Sequence, residues 1–352
     1  MSKARPVILL VLGVHRSGTS VVARMMECIG AVPSVNLHEP LPNNPTGFFE
    51  DLDVERFNEY EVLPALGARW HDVVPPDWER LDEGRRAAFS ARAEEIIRRN
   101  FDLAQPLAVL KEPRIMTLLP LWLAVLQRIG YEVRVVGAVR DPLSVARSLH
   151  ARDGLPIAHG ASLFASNWGA AARSIAGLRC SFVRYDAVLD DARAELLRIA
   201  SELSIDLPPD FDARMESFRS GHLDLSLRHG HATPDELDAH PELPRVALDT
   251  FRDLVAASAA GAGAGQCVID RFSRESEPWM PLLRAHDGTI ARVAFLRQDV
   301  ANLGQEVAGL RSHVATLESR LAQAPALAAE VQEQLRQLSA WSGPGDSVSF
   351  PA

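Results

Sequence analysis

The most constraining feature of this chain is a short glycine-flanked loop near its start. An apolar run, Val7–Leu12, leads into Gly-Val-His-Arg-Ser-Gly-Thr-Ser at 13–20, and an apolar-patterned stretch follows at 21–29. A strand, a loop and a helix start in this order bring several backbone N–H groups and the positive end of a helix dipole to one point. The pattern therefore predicts an anion site at the end of the first strand.

This loop departs from the nucleotide P-loop in one respect. Gly13 and Gly18 have the four-residue gap of the G-x-x-x-x-G-K-[ST] motif, but Thr19 stands where that motif has its lysine. Arg16, the permanent cation of the loop, lies too early in the sequence to replace that lysine. We therefore expect the loop to bind phosphate without acting as an ordinary ATPase.

Apolar runs alternate with helical patterns over the first 200 or so residues. The expected strands are Val7–Leu12, Leu107–Lys111, 133–139 and 180–185. The expected helices are 20–28, 85–101, 118–129, 142–150, 162–176 and 190–203. Such alternation predicts an α/β fold with a parallel sheet flanked by helices, and ligands in this class bind at the carboxyl ends of the strands.

Composition excludes several kinds of site. A net charge of −9 argues against a nucleic-acid partner, which needs a broad basic surface. Three widely spaced cysteines without a C-x-x-C pair fit a reducing compartment and no structural zinc. The apolar run at 6–14 is too short for a signal sequence or a membrane span. We expect a cytoplasmic protein without a structural zinc site.

The end of the chain changes character. An Ala/Gly-rich linker follows the globular part, and then valine and leucine alternate at heptad spacing. The heptad residues are Val293, Leu296, Val300, Leu303, Val307, Leu310, Val314, Leu317 and Leu321. Valine at position a and leucine at position d favour a parallel two-stranded coiled coil, so 293–321 predict a homodimer. The alternative is one amphipathic helix folded back on the globular part.

These changes predict the domain boundaries. We expect a globular domain over 5–257, a linker over 258–285 and a coiled coil over 286–324. Because Pro325 interrupts a helix, we expect a short separate helix and a disordered tail over 325–352.

A second anion motif follows the third expected strand. Arg140 stands at the carboxyl end of that strand, and Ser148 comes eight residues later in a helix opened by Pro142. Alone, Arg140 can simply pair with Asp141, and Ser148 can be an ordinary hydroxyl on a helix surface. Together with the first loop they predict two separate phosphate sites for one nucleotide.

The two motifs, in this order, resemble those of the sulfotransferases that use 3′-phosphoadenosine-5′-phosphosulfate (PAPS). The resemblance implies a P-loop NTPase-like sulfotransferase fold, with PAPS as donor, adenosine 3′,5′-bisphosphate (PAP) as product and no required metal. It places Arg140 and Ser148 at the 3′-phosphate. The residues it places at the 5′-phosphosulfate are His15, Arg16, Ser17, Gly18, Thr19 and Ser20. Tyr185, a lone aromatic after the fourth expected strand, is a further candidate for contact with the adenine.

Two details indicate which branch of the sulfotransferases the chain resembles. Arg16 stands where many cytosolic members have lysine, as in the carbohydrate and protein-tyrosine branches. Bacterial-type members carry Asn-Pro-x-Gly-Phe-Phe-Glu and Lys-Glu/Asp-Pro-Arg, matched here at 44–50 and 111–114. The resemblance thus implies an acceptor hydroxyl on a glycan, glycolipid or related metabolite, and it leaves peripheral membrane association open.

Sulfuryl transfer needs a base on the acceptor oxygen and cations near the leaving phosphate. Glu50, at the end of the Gly-Phe-Phe run, is our first choice of base, and His38 and Glu39 are the alternates. Arg16 and Lys111 are the expected catalytic cations.

Other residues near these motifs leave two interpretations open. Lys111 and Arg114 can stabilise the sulfuryl group or position the acceptor, or they can form salt bridges to Glu112. Trp70, Trp78 and Trp168 can stack on a sugar or belong to the core.

Two other functions remain open at this stage. A magnesium-dependent nucleotide kinase with a degenerate P-loop would carry its metal carboxylate in the segment 107–112. A non-catalytic scaffold would keep the nucleotide fold and recruit partners through the coiled coil.

Overall fold

The structure is a computed structural model that describes residues 5–39, 47–222, 232–261 and 279–340. Two compact units are present, Met1–Ala294 and Phe295–Ala352. In the part of the chain described, no helix combines the length and apolar character that crossing a membrane requires.

A four-stranded parallel sheet forms the centre of the first unit. Its strands are β1 (Val7–Leu12), β2 (Leu107–Lys111), β3 (Glu132–Val139) and β4 (Arg179–Arg184), in the order β2-β1-β3-β4. Every residue of β1 and β2 is buried, which is why these strands read as continuous apolar runs. The predicted α/β class, a parallel sheet flanked by helices, is confirmed.

The strand order creates a crevice beside β1. The chain passes from β1 to β2 on one side and then crosses back to β3 on the other side. Connections that leave neighbouring parallel strands in opposite directions open a cleft at their carboxyl ends, where ligands bind in open α/β sheets. The loop 13–18 follows β1 and Arg140 follows β3, so both anion motifs lie at this crevice.

Helices cover both faces of the sheet. They are α1 (Thr19–Met25), α2 (Leu52–Phe57), α3 (Leu63–Ala65), α4 (Glu83–Asn100), α5 (Leu119–Arg128), α6 (Pro142–Asp153), α7 (Ile157–Ile175), α8 (Tyr185–Glu202), α9 (Phe211–His222), α10 (Pro234–Ala239) and α11 (Arg245–Ala259). Alternate residues of β1 enter different cores: Ile8 and Leu10 join one apolar cluster, whereas Leu9 and Val11 join the other. The two-residue period of the strand therefore divides the core into two layers.

Helix α6 shows how local sequence positions a site residue. Asp141 caps its start by accepting a hydrogen bond from the Ser144 amide at 2.7 Å, and Pro142 occupies the first turn. Gly154 ends the helix in a left-handed conformation. These three signals place Ser148 in the middle of the helix.

Several predicted boundaries need correction. The fourth strand ends at Arg184, so Tyr185 is the first residue of α8 rather than the last of the strand. Helix α7 begins at Ile157, well before 162, because its first turns are buried in the core, whereas no side-chain cap marks its start in the sequence. Trp168 lies in α7 and is fully buried against Phe182, which makes it a core residue.

The long helix α12 (Trp279–Ala340) differs from the prediction at both ends. It begins inside the expected linker 258–285, and it continues through Pro325, where we expected a break. Alanines surround this proline, and their strong helix propensity offsets the hydrogen bond that proline removes. The predicted loop residues 40–46, the linker residues 262–278 with Cys267, and the tail 341–352 lie outside the described residues.

Candidate active site

The first loop is a tight turn with two left-handed residues. Arg16 and Gly18 have φ values of 71° and 83°, and the Ser17 amide donates to the Val14 carbonyl at 3.0 Å. Gly18 is the N-cap residue of α1 and offers that helix no side-chain cap. Turns of this kind aim successive amides into one concavity, beside the positive end of the helix.

Gly18 is required here for a second reason. A Cβ at this position would lie 2.2 Å from the Tyr185 ring, so the tyrosine packs directly against the loop backbone. The Arg140 guanidinium lies 4.9 Å from the centroid of the same ring. Tyr185 therefore sits between the two anion motifs and contacts both.

The side chain of Arg16 joins the two motifs. Its Nε donates to the Ser148 Oγ at 2.8 Å, across 132 residues of sequence. From the other side, Arg140 Nη1 donates to the Arg16 carbonyl at 3.1 Å. The structure thus brings together the loop after β1, the arginine after β3 and the serine of α6.

This junction is rich in positive charge. Burial and the neighbouring guanidinium groups of Arg152 and Arg140 lower the pKa of Arg16. Asp153, which pairs with Arg152 at 2.8 Å, supplies a negative charge nearby. Because the three guanidinium groups of Arg16, Arg140 and Arg152 lie close together here, a bound anion would be favoured at this point.

Two predicted donor residues carry buried polar atoms without hydrogen-bond partners, the Ser17 Oγ and the His15 Nε2. Burial, together with the nearby Arg114, lowers the pKa of His15 well below its usual value, so its imidazole is neutral. A buried polar group without a partner costs about 1–3 kcal/mol. An oxyanion in the loop would give the Ser17 hydroxyl an acceptor, so the loop fits an oxyanion.

Lys111 ties the loop region to the segment that carries Glu50. Its Nζ donates to the Phe48 carbonyl at 2.9 Å and to the Ser20 Oγ at 3.1 Å, and it forms a buried ion pair with Glu50. Ser20 also donates to the Phe48 carbonyl, at 2.8 Å. All three N–H groups of Lys111 are therefore used by protein acceptors, and Glu50 is a buried, oriented carboxylate.

A second charged cluster lies behind this pair. Asn58 Nδ2 and Arg114 Nη1 each donate to Glu112 at 2.6 Å, and Arg114 Nε donates to Glu59 at 2.5 Å. Burial raises the pKa of Glu112 to about 7, with Arg114 opposing the shift and Glu50 adding to it. Arg114 thus forms salt bridges, which was one of the two roles predicted for it from the sequence. Sequence reasoning missed Glu112 as a titrating group, because burial, the largest cause of its pKa shift, leaves no local signal in the sequence.

The other candidate residues predicted from the sequence are His38, Glu39, Trp70 and Trp78. The backbone amide of His38 donates to the Glu50 carbonyl at 2.8 Å, whereas Glu39 is exposed. Trp70 packs edge-on against His15, with ring centroids 4.6 Å apart, and so lies beside the loop. Trp78 lines a separate cavity of about 200 Å³ together with Pro75 and Pro76.

Within the described ranges, no group of three or more His, Cys, Asp or Glu residues is placed to hold a metal ion.

Comparison with known proteins gives likenesses to solved structures alone. No family model and no curated protein matches the chain. The sulfotransferase domain of the Synechococcus PCC 7002 olefin synthase is 17% identical, covering 74% of this chain and 97% of its own, with a TM-score of 0.39. A Mycobacterium avium sulfotransferase is 16% identical, covering 62% and 69%, with a TM-score of 0.42.

A third likeness is to the sulfotransferase domain of the curacin biosynthetic pathway, 16% identical over 59% of this chain and 77% of its own, with a TM-score of 0.37. These structures are all sulfotransferases, the class that the two motifs resemble. At such TM-scores the likenesses carry no weight for function, which depends on the residues of the site.

Proposed function

We propose that this chain is a sulfotransferase that moves a sulfuryl group from PAPS to a hydroxyl group. The observation that carries the proposal is the Arg16–Ser148 hydrogen bond, with Arg140 bound to the Arg16 carbonyl. These contacts bring both predicted phosphate motifs to the crevice at the carboxyl ends of β1 and β3. A nucleotide with phosphates at both its 3′ and 5′ positions is the ligand class that two adjoining anion motifs favour.

In this proposal the loop amides and Ser17 hold the 5′-phosphosulfate, while Arg140 and Ser148 hold the 3′-phosphate. Arg16 belongs to both groups through its bond to Ser148. As charge develops on the departing 5′-phosphate, Arg16, the loop amides and the α1 dipole neutralise it. The guanidinium keeps its charge and can grip two oxygens at once.

The reaction is a direct transfer between two oxygens. The acceptor oxygen forms a bond to sulfur, and the bond from sulfur to the oxygen of the 5′-phosphate breaks, leaving its electron pair on PAP. Glu50 takes the hydroxyl proton. Lys111 orients Glu50 through their ion pair and holds Ser20 at the start of α1. We accordingly assign Lys111 a positioning role, since its donors are already engaged.

The acceptor is proposed to be a hydroxyl on a glycan, glycolipid or related metabolite. Trp70 supports this choice, because a half-buried indole beside the loop can pack against a sugar face. The kinase alternative is less well supported. Glu112, the carboxylate of the segment 107–112, accepts hydrogen bonds from Asn58 and Arg114 on both oxygens and is fully buried.

Calorimetric titration tests the donor class. We expect the full chain to bind PAP in the presence of EDTA and to prefer PAP to ATP with or without Mg²⁺. A transfer assay with radiolabelled PAPS and a panel of sugar hydroxyls then tests the reaction. Preferential, metal-dependent binding of ATP would contradict the proposal in favour of a kinase. PAP binding without transfer to any acceptor would favour the scaffold.

A further inference from the structure

The C-terminal helix carries a long apolar stripe that is exposed to solvent. Its described members in the first heptads are Val300, Leu303, Val307, Leu310, Val314 and Leu317, which are between 46% and 68% exposed. Water-exposed apolar residues at every a and d position of successive heptads are unfavourable for a helix on its own. The stripe therefore points to a partner.

The heptad continues beyond Pro325. After Leu321 the spacing of three and four residues continues at Ala324, Ala328, Val331, Leu335 and Leu338. Helix α12 runs unbroken to Ala340, and Val331 and Leu335 are 50% and 60% exposed. Pro325 itself falls at position e, beside the stripe, and the a and d residues flanking it are small alanines. The proline therefore does not interrupt the apolar register.

Charges beside the stripe indicate which partner it fits. In a parallel, in-register pair, each g residue faces the e residue five positions later on the other helix. Glu306 then faces Arg311, and His313 faces Glu318. By sequence, the other two g and e pairs of this stretch, 299 with 304 and 320 with 325, each combine one charged residue with an uncharged one. Between 299 and 325 a second copy of this same helix therefore meets no like charge.

We propose that α12 forms a parallel, in-register coiled coil with α12 of a second copy of this chain, along 293–338. Over 293–321, valine at a and leucine at d favour two strands over three or four. Each Glu306–Arg311 contact occurs twice by symmetry. Two copies of the nucleotide crevice are thereby joined in one particle, whichever reaction each performs.

The molar mass of the chain in solution tests whether the apolar stripe holds two copies together. We expect the full chain, of 38.5 kDa, to sediment as a dimer, and we expect the pair Val307→Asp and Leu310→Asp to make it monomeric. The matched control is Ala308→Asp with Ser312→Asp, which adds the same charge to other faces of the helix. A monomeric wild-type chain at micromolar concentration overturns the proposal, and so does a variant at the stripe that remains dimeric.

Exchanging the charges of Glu306 and Arg311 tests the register of the two helices. Glu306→Lys should weaken the dimer roughly tenfold, because two attractive contacts become repulsive. Adding Arg311→Glu should restore the wild-type dissociation constant. Failure of the double variant to recover overturns the parallel, in-register arrangement.

Disulfide trapping provides an independent check of direction. In a Cys267→Ser background, Leu310→Cys should give a disulfide-linked dimer on mild oxidation, whereas Ser312→Cys should not. Cys28 and Cys180 are buried and do not compete. Absence of the Leu310→Cys cross-link in a chain that remains dimeric overturns the parallel arrangement.

Discussion

Two charged clusters border the crevice, and they differ in how their cations are balanced. At the phosphate loop, the Arg16 guanidinium bonds to a hydroxyl and lies near Arg140 and Arg152. At the end of β2, each cation faces a carboxylate: Lys111 pairs with Glu50, and Arg114 pairs with Glu112. The first cluster gathers three guanidinium groups, those of Arg16, Arg140 and Arg152, around the two anion motifs. In the second cluster each of the two cations forms a direct ion pair with a buried carboxylate.

The largest effect is expected from the first cluster. In the proposed reaction Arg16 neutralises the leaving phosphate, and Arg16→Ala removes this charge together with the bond to Ser148, so kcat/KM should fall by roughly 10³-fold or more. Initial rates with PAPS measure this effect, and Arg85→Ala, on the exposed surface of α4, is the matched control. Near-normal turnover in Arg16→Ala would contradict the assignment of the loop.

The second cluster should show its effect in stability. Lys111→Met leaves the buried Glu50 carboxylate without its partner, which should lower the free energy of unfolding by about 3–5 kcal/mol. Lys111→Met with Glu50→Gln should lose less than Lys111→Met alone, because no charge is then stranded. Urea denaturation of Lys111→Met, of Glu50→Gln and of the double variant measures the coupling. Additive losses would show that the pair is not energetically linked.

The second cluster should also make the stability of the protein depend on pH, through the carboxyl group of Glu112. The pKa of Glu112 is about 7 in the folded state against 4.5 as its ordinary value, so between these values the folded chain binds more protons than the unfolded chain. The contribution of Glu112 to the free energy of unfolding therefore falls by up to about 3 kcal/mol as pH rises from 4.5 to 7. Glu112→Gln, which keeps an acceptor for Asn58, should lose this dependence.

Denaturation curves of wild type and Glu112→Gln at several pH values measure that difference. Subtracting the curve of the variant from that of the wild type removes the contribution of other groups that titrate between pH 4.5 and 7, such as His15. Parallel stability curves for the two proteins would exclude Glu112 as a titrating group.

The smallest effect concerns a single hydroxyl. Ser148→Ala removes the acceptor for Arg16 Nε and the donor proposed for the 3′-phosphate, so the Kd for PAP should rise roughly tenfold. Calorimetry measures the Kd, and kcat at saturating PAPS should change little. Ser162→Ala, a hydroxyl on α7 that bonds to its own helix backbone, is the control. An unchanged Kd in Ser148→Ala would place the 3′-phosphate elsewhere.

Much of the fold was predictable because its signals are local. The four strands were found at or within a few residues of their observed bounds, since each is a short, fully or mostly buried apolar run. Asp141 and Pro142 marked the start of α6 correctly. Helix α7 was found only in part and Pro325 was misjudged, because burial and neighbouring alanines outweighed the local signals there.

The sequence alone determined the strand–loop–helix unit, the residues of the loop and the heptad register, because each depends on spacing along a few turns of chain. Only the tertiary structure decided which distant side chains meet: Arg16 with Ser148, and Lys111 with Glu50. Those contacts follow from the order of the strands, which no local pattern encodes. The altered proton affinity of Glu112 likewise depends on burial, a property of the packed core rather than of its neighbours in sequence.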